Sequence, residues 1–594
     1  MCGVFFLLAM HGNYLQAQVK KDSIEKKSIA KRAFREGMKF ISTNPGDTIV
    51  NAKSVDDYEH FAGKIIRSIN FERVGFEISL YDSAKKVTNT VIKLANTIHT
   101  DTREKIIRQH LFLEKNKPLN PGKLADNERF LRDKDFILDS RIVVTPVEGT
   151  DSVDLMVITR DVFSLGARAG GSFPAAPQFG VYDANVDGRG QRIEFNTLLE
   201  QDRTPKFGYS LLWRKSSFLG SLTNVEVGLT KINSGMSLGD ESESAIFLRI
   251  SRPLVSPYSR LAGGLELSRN WSANVYSRPD SLFLNYQYKI FDAWIGYNLG
   301  INKKITNRNR HFLAFRSFDY FYLNQPKQEA YRESRIYNNA YAYLAAFTFY
   351  RQDFFKTRYV FGFGRTEDVP YGLSMGLTSG YVRQLKSARP YTAYNIDYSY
   401  ANRKGDFQSF RFQTGGYFRN NKLEDIILDA GTTYYSRLVQ VKEYKMRNSA
   451  SVNYTQLLNH NVIDWLTVGS KEIPGFATDS LRASTRLALH LESVLFTPWS
   501  FVGFRFAPFA ALDLVAARII EGERIINRNN TYWGFSAGLR TRNENLIFGT
   551  MEVKFTFIPK DGSGRNQFGV GFKQNLRVKN TGSFVQAPSF IIYN

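Results

Sequence analysis

Residues 486–492 read Arg486-Leu487-Ala488-Leu489-His490-Leu491-Glu492. In an extended strand successive side chains point to opposite faces. Leu487, Leu489 and Leu491 then share one face, and Arg486, His490 and Glu492 the other. The same alternation returns in Gly534-Phe535-Ser536-Ala537-Gly538-Leu539-Arg540 and in Met551-Glu552-Val553-Lys554-Phe555-Thr556-Phe557. From Val162 onward it persists in segments of about ten residues separated by polar turns, with no helical stretch between them. A soluble sandwich also alternates. A charged face opposite Leu, Val and Phe, sustained this far, suits a transmembrane antiparallel β-barrel with lipid outside and water inside. Backbone groups in lipid must all be paired, so the sheet closes and the strand number is even. The count runs from about 16 to about 20, because residues 340–372 divide in two ways.

Composition agrees. The chain of 594 residues holds 47 Phe, 31 Tyr and 44 Gly, a strand-and-turn usage. No run of about eighteen apolar residues marks a membrane-spanning helix. The net charge of +23 comes from Lys and Arg scattered along strands and turns. They form no basic tail or helix face, so nucleic acid is not an expected partner. Residues 1–17 read as a signal peptide, with the apolar run Val4–Met10 and a small-residue cleavage site after Ala17. Cleavage would remove Cys2, the only cysteine, and with it disulfides and thiol chemistry. Residues 18–62 read as a linker with a candidate helix over Ile29–Ile41.

Residues 63–161 read as one small α+β domain of order β-α-α-β-β. Lys64–Phe71 is a strand. Asp101 and Glu104 are spaced like a capping box at the start of a helix that buries Ile106, Ile107, His110 and Leu111. Asn120-Pro121 opens a second helix, which buries Leu124, Phe130 and Leu131. Strands over Phe136–Val147 and Ser152–Thr159 close the unit. The barrel is expected over 162–594.

Catalytic signals are weak. Gly235-Met236-Ser237-Leu238-Gly239 and Gly372-Leu373-Ser374-Met375-Gly376 match a nucleophile elbow, but no helix follows either. His490 is expected in the lumen beside Arg486 and Glu492. The acidic turn Glu367–Gly372 reads as a plain loop rather than a calcium site. No metal-ligand spacing and no phosphate loop is present, so no enzyme activity, metal or cofactor is expected.

The two regions together resemble the BamA/TamA family of outer-membrane assembly and translocation proteins. The β-α-α-β-β unit, with Asn127–Arg132 leading into Phe136-Ile137, is similar to the family's POTRA domain. Asp183–Gln191 resembles its Asn-x-x-Gly-x-Gly turn near the barrel start, on Asn185, Gly188 and Gly190. Ile473-Pro474-Gly475-Phe476 resembles its lumen-loop motif, with Pro474 where the family carries arginine. Asp513 matches its lumen aspartate, and five strands can be laid after residue 476, as the family has. The resemblance implies 16 strands and places the chain in the cell outer membrane with its N-terminal domain in the periplasm. It also implies that unfolded client proteins pair with the edge of the POTRA-like sheet, with periplasmic accessory subunits as partners. A weak seam would lie between strands near 163–172 and 567–579, with Gly569 and Gly571 loosening the latter. A specialised single-POTRA paralogue is the expected role, and a passive pore for small solutes or lipids is the alternative.

Overall fold

The computed structural model describes residues 51–74, 100–172, 176–236, 241–299, 308–385, 387–476, 481–501, 504–520, 529–543, 547, 549–559, 565–576 and 585–593. The signal peptide, the candidate helix over Ile29–Ile41 and Ser237 lie outside them.

The N-terminal domain has the expected order. Strand β1 (Ile65–Val74) is followed by α1 (Glu104–Gln109), α2 (Pro121–Arg132), β2 (Ile137–Pro146) and β3 (Ser152–Asp161). β3 is central, parallel to β1 and antiparallel to β2. Its alternate residues Val153, Leu155 and Val157 pack with Ile106, Ile107, Leu119, Leu124 and Leu131 in one apolar core. The start of α2 is as read: the Asn120 side chain accepts from the Lys123 amide, and Pro121 sits in the first turn. The start of α1 is a correction. Arg103, not Asp101, is the N-cap, and no side chain caps the helix. The Arg103 amide donates instead to the Gly188 carbonyl (3.0 Å), a tertiary contact that replaces the local box.

His110 is buried against the Phe130 and Phe136 rings, and its Nδ1 donates to the Ile106 carbonyl (2.7 Å). Burial, reinforced by Lys134, pushes its pKa down to about 3. The unfolded chain therefore binds the proton first as pH falls. The stability that neutral His110 contributes is whole above about pH 6.5 and lost towards pH 3. Relative to the native protein, H110F should gain stability on acidification by about 1–3 kcal/mol at pH 4, and should show no such gain above pH 7. Hydrogen exchange of the domain's core amides at the two pH values checks this.

Among the described residues the rest of the chain forms a barrel of twenty strands. They are β4 (Leu165–Ser172), β5 (Ala176–Asp183), β6 (Gln191–Leu199), β7 (Phe207–Lys215), β8 (Asn224–Ser234), β9 (Ser242–Arg252) and β10 (Leu261–Ala273). Then come β11 (Gln287–Leu299), β12 (Arg310–Asn324), β13 (Ala340–Thr357), β14 (Glu367–Gln384), β15 (Ser387–Ala401), β16 (Phe407–Arg419) and β17 (Lys422–Tyr435). The last are β18 (Tyr444–Leu458), β19 (Leu481–Phe496), β20 (Phe504–Ile520), β21 (Asn529–Arg542), β22 (Thr550–Ile558) and β23 (Gln567–Leu576). Neighbours in sequence are neighbours in the sheet, all antiparallel, and β23 is followed by β4. The strand number is thus even and at the top of the range read from sequence. The sixteen implied by resemblance is corrected to twenty. Residues 340–372 are one long strand and the start of the next, paired from Ala340–Gln384 to Thr357–Glu367.

The alternation sorts the two faces as read. Phe315, Phe347, Leu487, Leu491, Phe535 and Phe555 are exposed on the outer wall. Inside, cations meet anions: Arg316 with Asp292, Arg389 with Asp425, Arg540 with Glu492 and Glu552. Strand length varies around the wall. β13 and β14 have 18 residues each, whereas β4 and β5 have 8 and β22 has 9.

The domain is fastened into one mouth of the barrel. On α2, Asp126 pairs with Arg308 (2.9 Å), Glu128 with Lys356 (2.8 Å), and Arg132 with Asp368 (2.7 Å). Burial opposes the Glu128 charge, but Lys356 and Arg132 outweigh it and hold the carboxyl well below its usual range. Residues 51–62, read as linker, join this contact. Ala52–Lys53 pairs with Phe355 and Lys356 of β13, and Tyr58 is buried.

Candidate functional site: the lumen loop and the closing seam

Between β18 and β19 the chain turns into the lumen. Ile473 is fully buried, and Phe476 packs edge-on to Tyr532 (5.2 Å between centroids). Both belong to a cluster with Leu466, Val468, Val515 and Ile558 on the inner wall. A short turn shapes the segment. The Ile473 amide donates to Gly469 O (3.1 Å), the Phe476 amide to Ile473 O (3.0 Å), and the Glu472 carboxylate accepts from the Gly469 amide (3.1 Å). The loop is thus folded into the lumen against the inner wall.

What holds it differs from the motif. The wall supplies the cation and the loop the anion. Arg486 on β19 pairs with Glu472 (2.8 Å), and its guanidinium also donates to the Thr467 carbonyl (2.6 Å) and the Tyr593 carbonyl (2.9 Å). Pro474 has no charge to offer, and Glu472, two residues earlier, takes over the anchoring with the polarity reversed. Sequence reading passed over Glu472, although a carboxylate beside a motif that lacks its arginine was the available signal. Among the described residues Asp513 makes no bond to the loop. It sits opposite His490 in the β19–β20 register and accepts from His490 Nδ1 (2.5 Å), with Lys554 Nζ at 3.8 Å. Glu492 takes both outer nitrogens of Arg540 (2.9 and 2.6 Å). Pro474, Arg486, His490, Glu492, Asp513 and Arg540 line one cavity of about 480 Å³. The expected lumen residues thus share a site, with different partners from those expected.

Gly475 completes the seat. Its φ is +90°, open to glycine and strained for other residues. A Cβ there would lie 3.3 Å from Gly569 Cα, and a Cβ on Gly569 would lie 3.1 Å from Gly475 Cα. The loop turn therefore lies directly on the last strand at the seam. Gly569, read as a residue that weakens pairing, is also the floor on which the loop rests. Gly571 has no such neighbour: its Cβ position is 4.0 Å from the Lys554 carbonyl.

The seam closes the sheet: β23 and β4 are hydrogen-bonded neighbours, and Gln574 Nε2 also donates across it to the Ala167 carbonyl (3.0 Å).

The turn Asn185–Gly190 is a tight connection at the mouth that holds the domain. Gly188 and Gly190 take φ of +63° and +64°, and Asn185 Oδ1 accepts from the Gly190 amide (2.7 Å). It is also a docking point, since Asn185 Nδ2 donates to Thr102 Oγ1 (2.8 Å) and Asp187 pairs with Arg103 (2.5 Å). Of the sheet's two edges, β1 and β2, that of β2 is closed along Ser140–Ile142. Arg132 donates to the Ser140 carbonyl, Tyr58 to the Ile142 carbonyl, and the Ile142 amide to Glu128.

Ser374 lies in the body of β14, fully buried, with no turn or helix after it. Five strand spacings separate it from His490, roughly 24 Å along the wall. Glu367 and Asp368 open β14 instead of forming a loop. Glu367 accepts the amides of Val360, Phe361 and Gly362, and Asp368 receives Arg132.

No family model matches the chain, and no curated protein does. Among solved structures it is similar to BamA from Haemophilus ducreyi lacking POTRA domains 1–3. That match has 11% identity over 86% of this chain and 84% of that one, with a TM-score of 0.34. It is similar also to CdiB from Acinetobacter baumannii (11% identity, 89% and 77% covered, TM-score 0.39). CdiB from Escherichia coli gives 12% identity, 86% and 76% covered, and a TM-score of 0.39. These likenesses are distant, and the barrel stands on its own strand register.

Proposed function

We propose that this chain is an outer-membrane barrel that assists the insertion, assembly or translocation of client proteins, as a specialised factor with a single POTRA-like domain. The observation that carries the reading is the seam. An antiparallel barrel closes its edges because unpaired edges recruit other chains. Here the closing junction brings the first and last strands together, β4 with only 8 residues and β23 with 10, and Gln574 reaches across it to the Ala167 carbonyl. Eight residues tilted at about 45° span roughly 19 Å, less than a bilayer core of about 30 Å. A seam of that kind thins the membrane locally and offers β4 and β23 as templates for an incoming strand. With the N-terminal domain in the periplasm, the lumen loop reaches Gly569 from the extracellular side. The closed β2 edge at Ser140–Ile142 leaves the seam strands as the templates for client pairing beside the β1 edge. Against the passive pore stand the loop and the C-terminal segment, which both lie inside the lumen.

Depletion of the protein in its own host, followed by quantitative proteomics of the outer membrane, tests the reading. Loss of one or a few barrel proteins is expected of a specialised factor. Broad loss would mean a general insertase, and an unchanged proteome would sink the assembly role.

A further inference from the structure

After β23 the chain returns through the barrel. Residues 585–593 climb the inner wall from the mouth that holds the domain to the lumen loop. Val585 packs with Leu254, Ala262, Phe312 and Tyr350 near that mouth. Phe590 stacks on Tyr391 (5.0 Å) and Tyr417 (6.5 Å) near the far end, and Tyr593 Oη donates to the Asp464 carbonyl (3.0 Å). Nine extended residues reach about 30 Å, the height of the wall.

The wall holds this segment mainly by its backbone. Arg316 donates to the Pro588 carbonyl (2.9 Å), the Ile591 amide donates to Tyr391 Oη (3.1 Å), and Arg486 donates to the Tyr593 carbonyl (2.9 Å). Side-chain selection rests on apolar seats for Val585 and Ile591 and an aromatic one for Phe590, while Ile592 projects freely. Contacts to main-chain groups tolerate many sequences, which is how extended peptides are usually recognised. Arg316 and Arg486 each keep an acidic partner, Asp292 and Glu472, so they stay charged and placed whether or not a carbonyl is present.

We propose that the inner wall from β12 to β19 carries a binding track for an extended, aromatic-bearing polypeptide. Segment 585–593 is its resident occupant, which an incoming client segment replaces. Arg486 links the track to the loop, since one guanidinium holds both Glu472 and Tyr593. Displacing the tail therefore removes one of the bonds that fix the residue seating the loop on Gly569. The client half of this proposal rests on the assembly reading, and the peptide track does not.

The test uses the purified full chain in detergent and a fluorescent peptide of residues 585–593. In the native protein the tethered tail competes at high local concentration. The variant F590D/I591D should release it and bind the free peptide at least about tenfold more tightly than the native chain does. The same peptide carrying Asp for Phe590 should not bind. I591P, which removes the amide that donates to Tyr391 together with the buried Ile591 side chain and buries no charge, should shift binding in the same direction by less. It keeps the test decisive if the double variant does not form a barrel on gel migration. A folded variant that binds the peptide no better than the native chain would overturn the track. Tight peptide binding with an outer-membrane proteome unchanged on depletion would overturn the client half alone.

Discussion

Replacing Arg132 by alanine should destabilise the docked N-terminal domain by about 3–5 kcal/mol, the usual consequence of leaving a buried charge without its partner. Arg132 is almost fully buried. Its guanidinium donates to both Asp368 oxygens (2.9 and 2.7 Å), to Glu128 (2.6 Å) and to the Ser140 carbonyl (3.0 Å). Removing it strands Asp368 at the start of β14, while Glu128 keeps Lys356 (2.8 Å). D368A should be nearly as damaging as R132A. The double variant should recover part of the loss, because neither charge is then left alone. Hydrogen exchange in α2 and β2 reads the effect. If undocked, the domain should also expose the Ser140–Ile142 edge, and R132A should then bind extended peptides there that the native protein does not. Unchanged exchange in R132A would show that the domain is held by other contacts.

Gly475→Val should release the lumen loop. At φ +90° a branched side chain costs about 1–2 kcal/mol in backbone strain, and its Cβ would press on the Gly569 backbone at 3.3 Å. The buried Arg486–Glu472 pair holds Glu472 alone and does not relieve the clash at Gly475. Gly569→Val should act alike from the other side, by blocking the floor. Gly571→Ala should be close to neutral, since nothing approaches its Cβ position within 4.0 Å. Protease cleavage near Lys471 reports loop release: rapid in G475V and G569V, and slow in G571A and the native chain. Equal cleavage in the two strand variants would mean that Gly569 serves only to weaken pairing.

Much of this architecture is legible in the sequence because period-two patterning has one physical reading when it lasts for hundreds of residues. Arg486, His490 and Glu492 face the lumen as the alternation requires, and the start of α2 at Asn120 follows from local capping chemistry. The strand number was bounded rather than read, because turn residues in 340–372 do not reveal that one strand runs for 18 residues. Partner choice was not legible. Asp513 pairs across the ladder with His490, an outcome set by register, which the spacing of two distant residues does not encode. The Arg103 amide finds Gly188 instead of a local cap for the same reason. Glu472 was overlooked because attention fell on the missing arginine, whereas electrostatics requires only opposite charges in reach, on either side. The return of residues 585–593 through the lumen leaves no periodic signal, since the segment makes its bonds to wall side chains and not to a neighbouring strand.

The most direct test of the assembly account is a lock across the seam. Gln574 already reaches the Ala167 carbonyl, so Gln574→Cys with Ala167→Cys places two thiols at the junction of β23 and β4, in a chain whose only native cysteine is Cys2. In depleted cells that carry this variant, the account predicts that client barrels disappear from the outer membrane when the pair is oxidised and return on reduction. Full client levels with the seam shown to be cross-linked would contradict it.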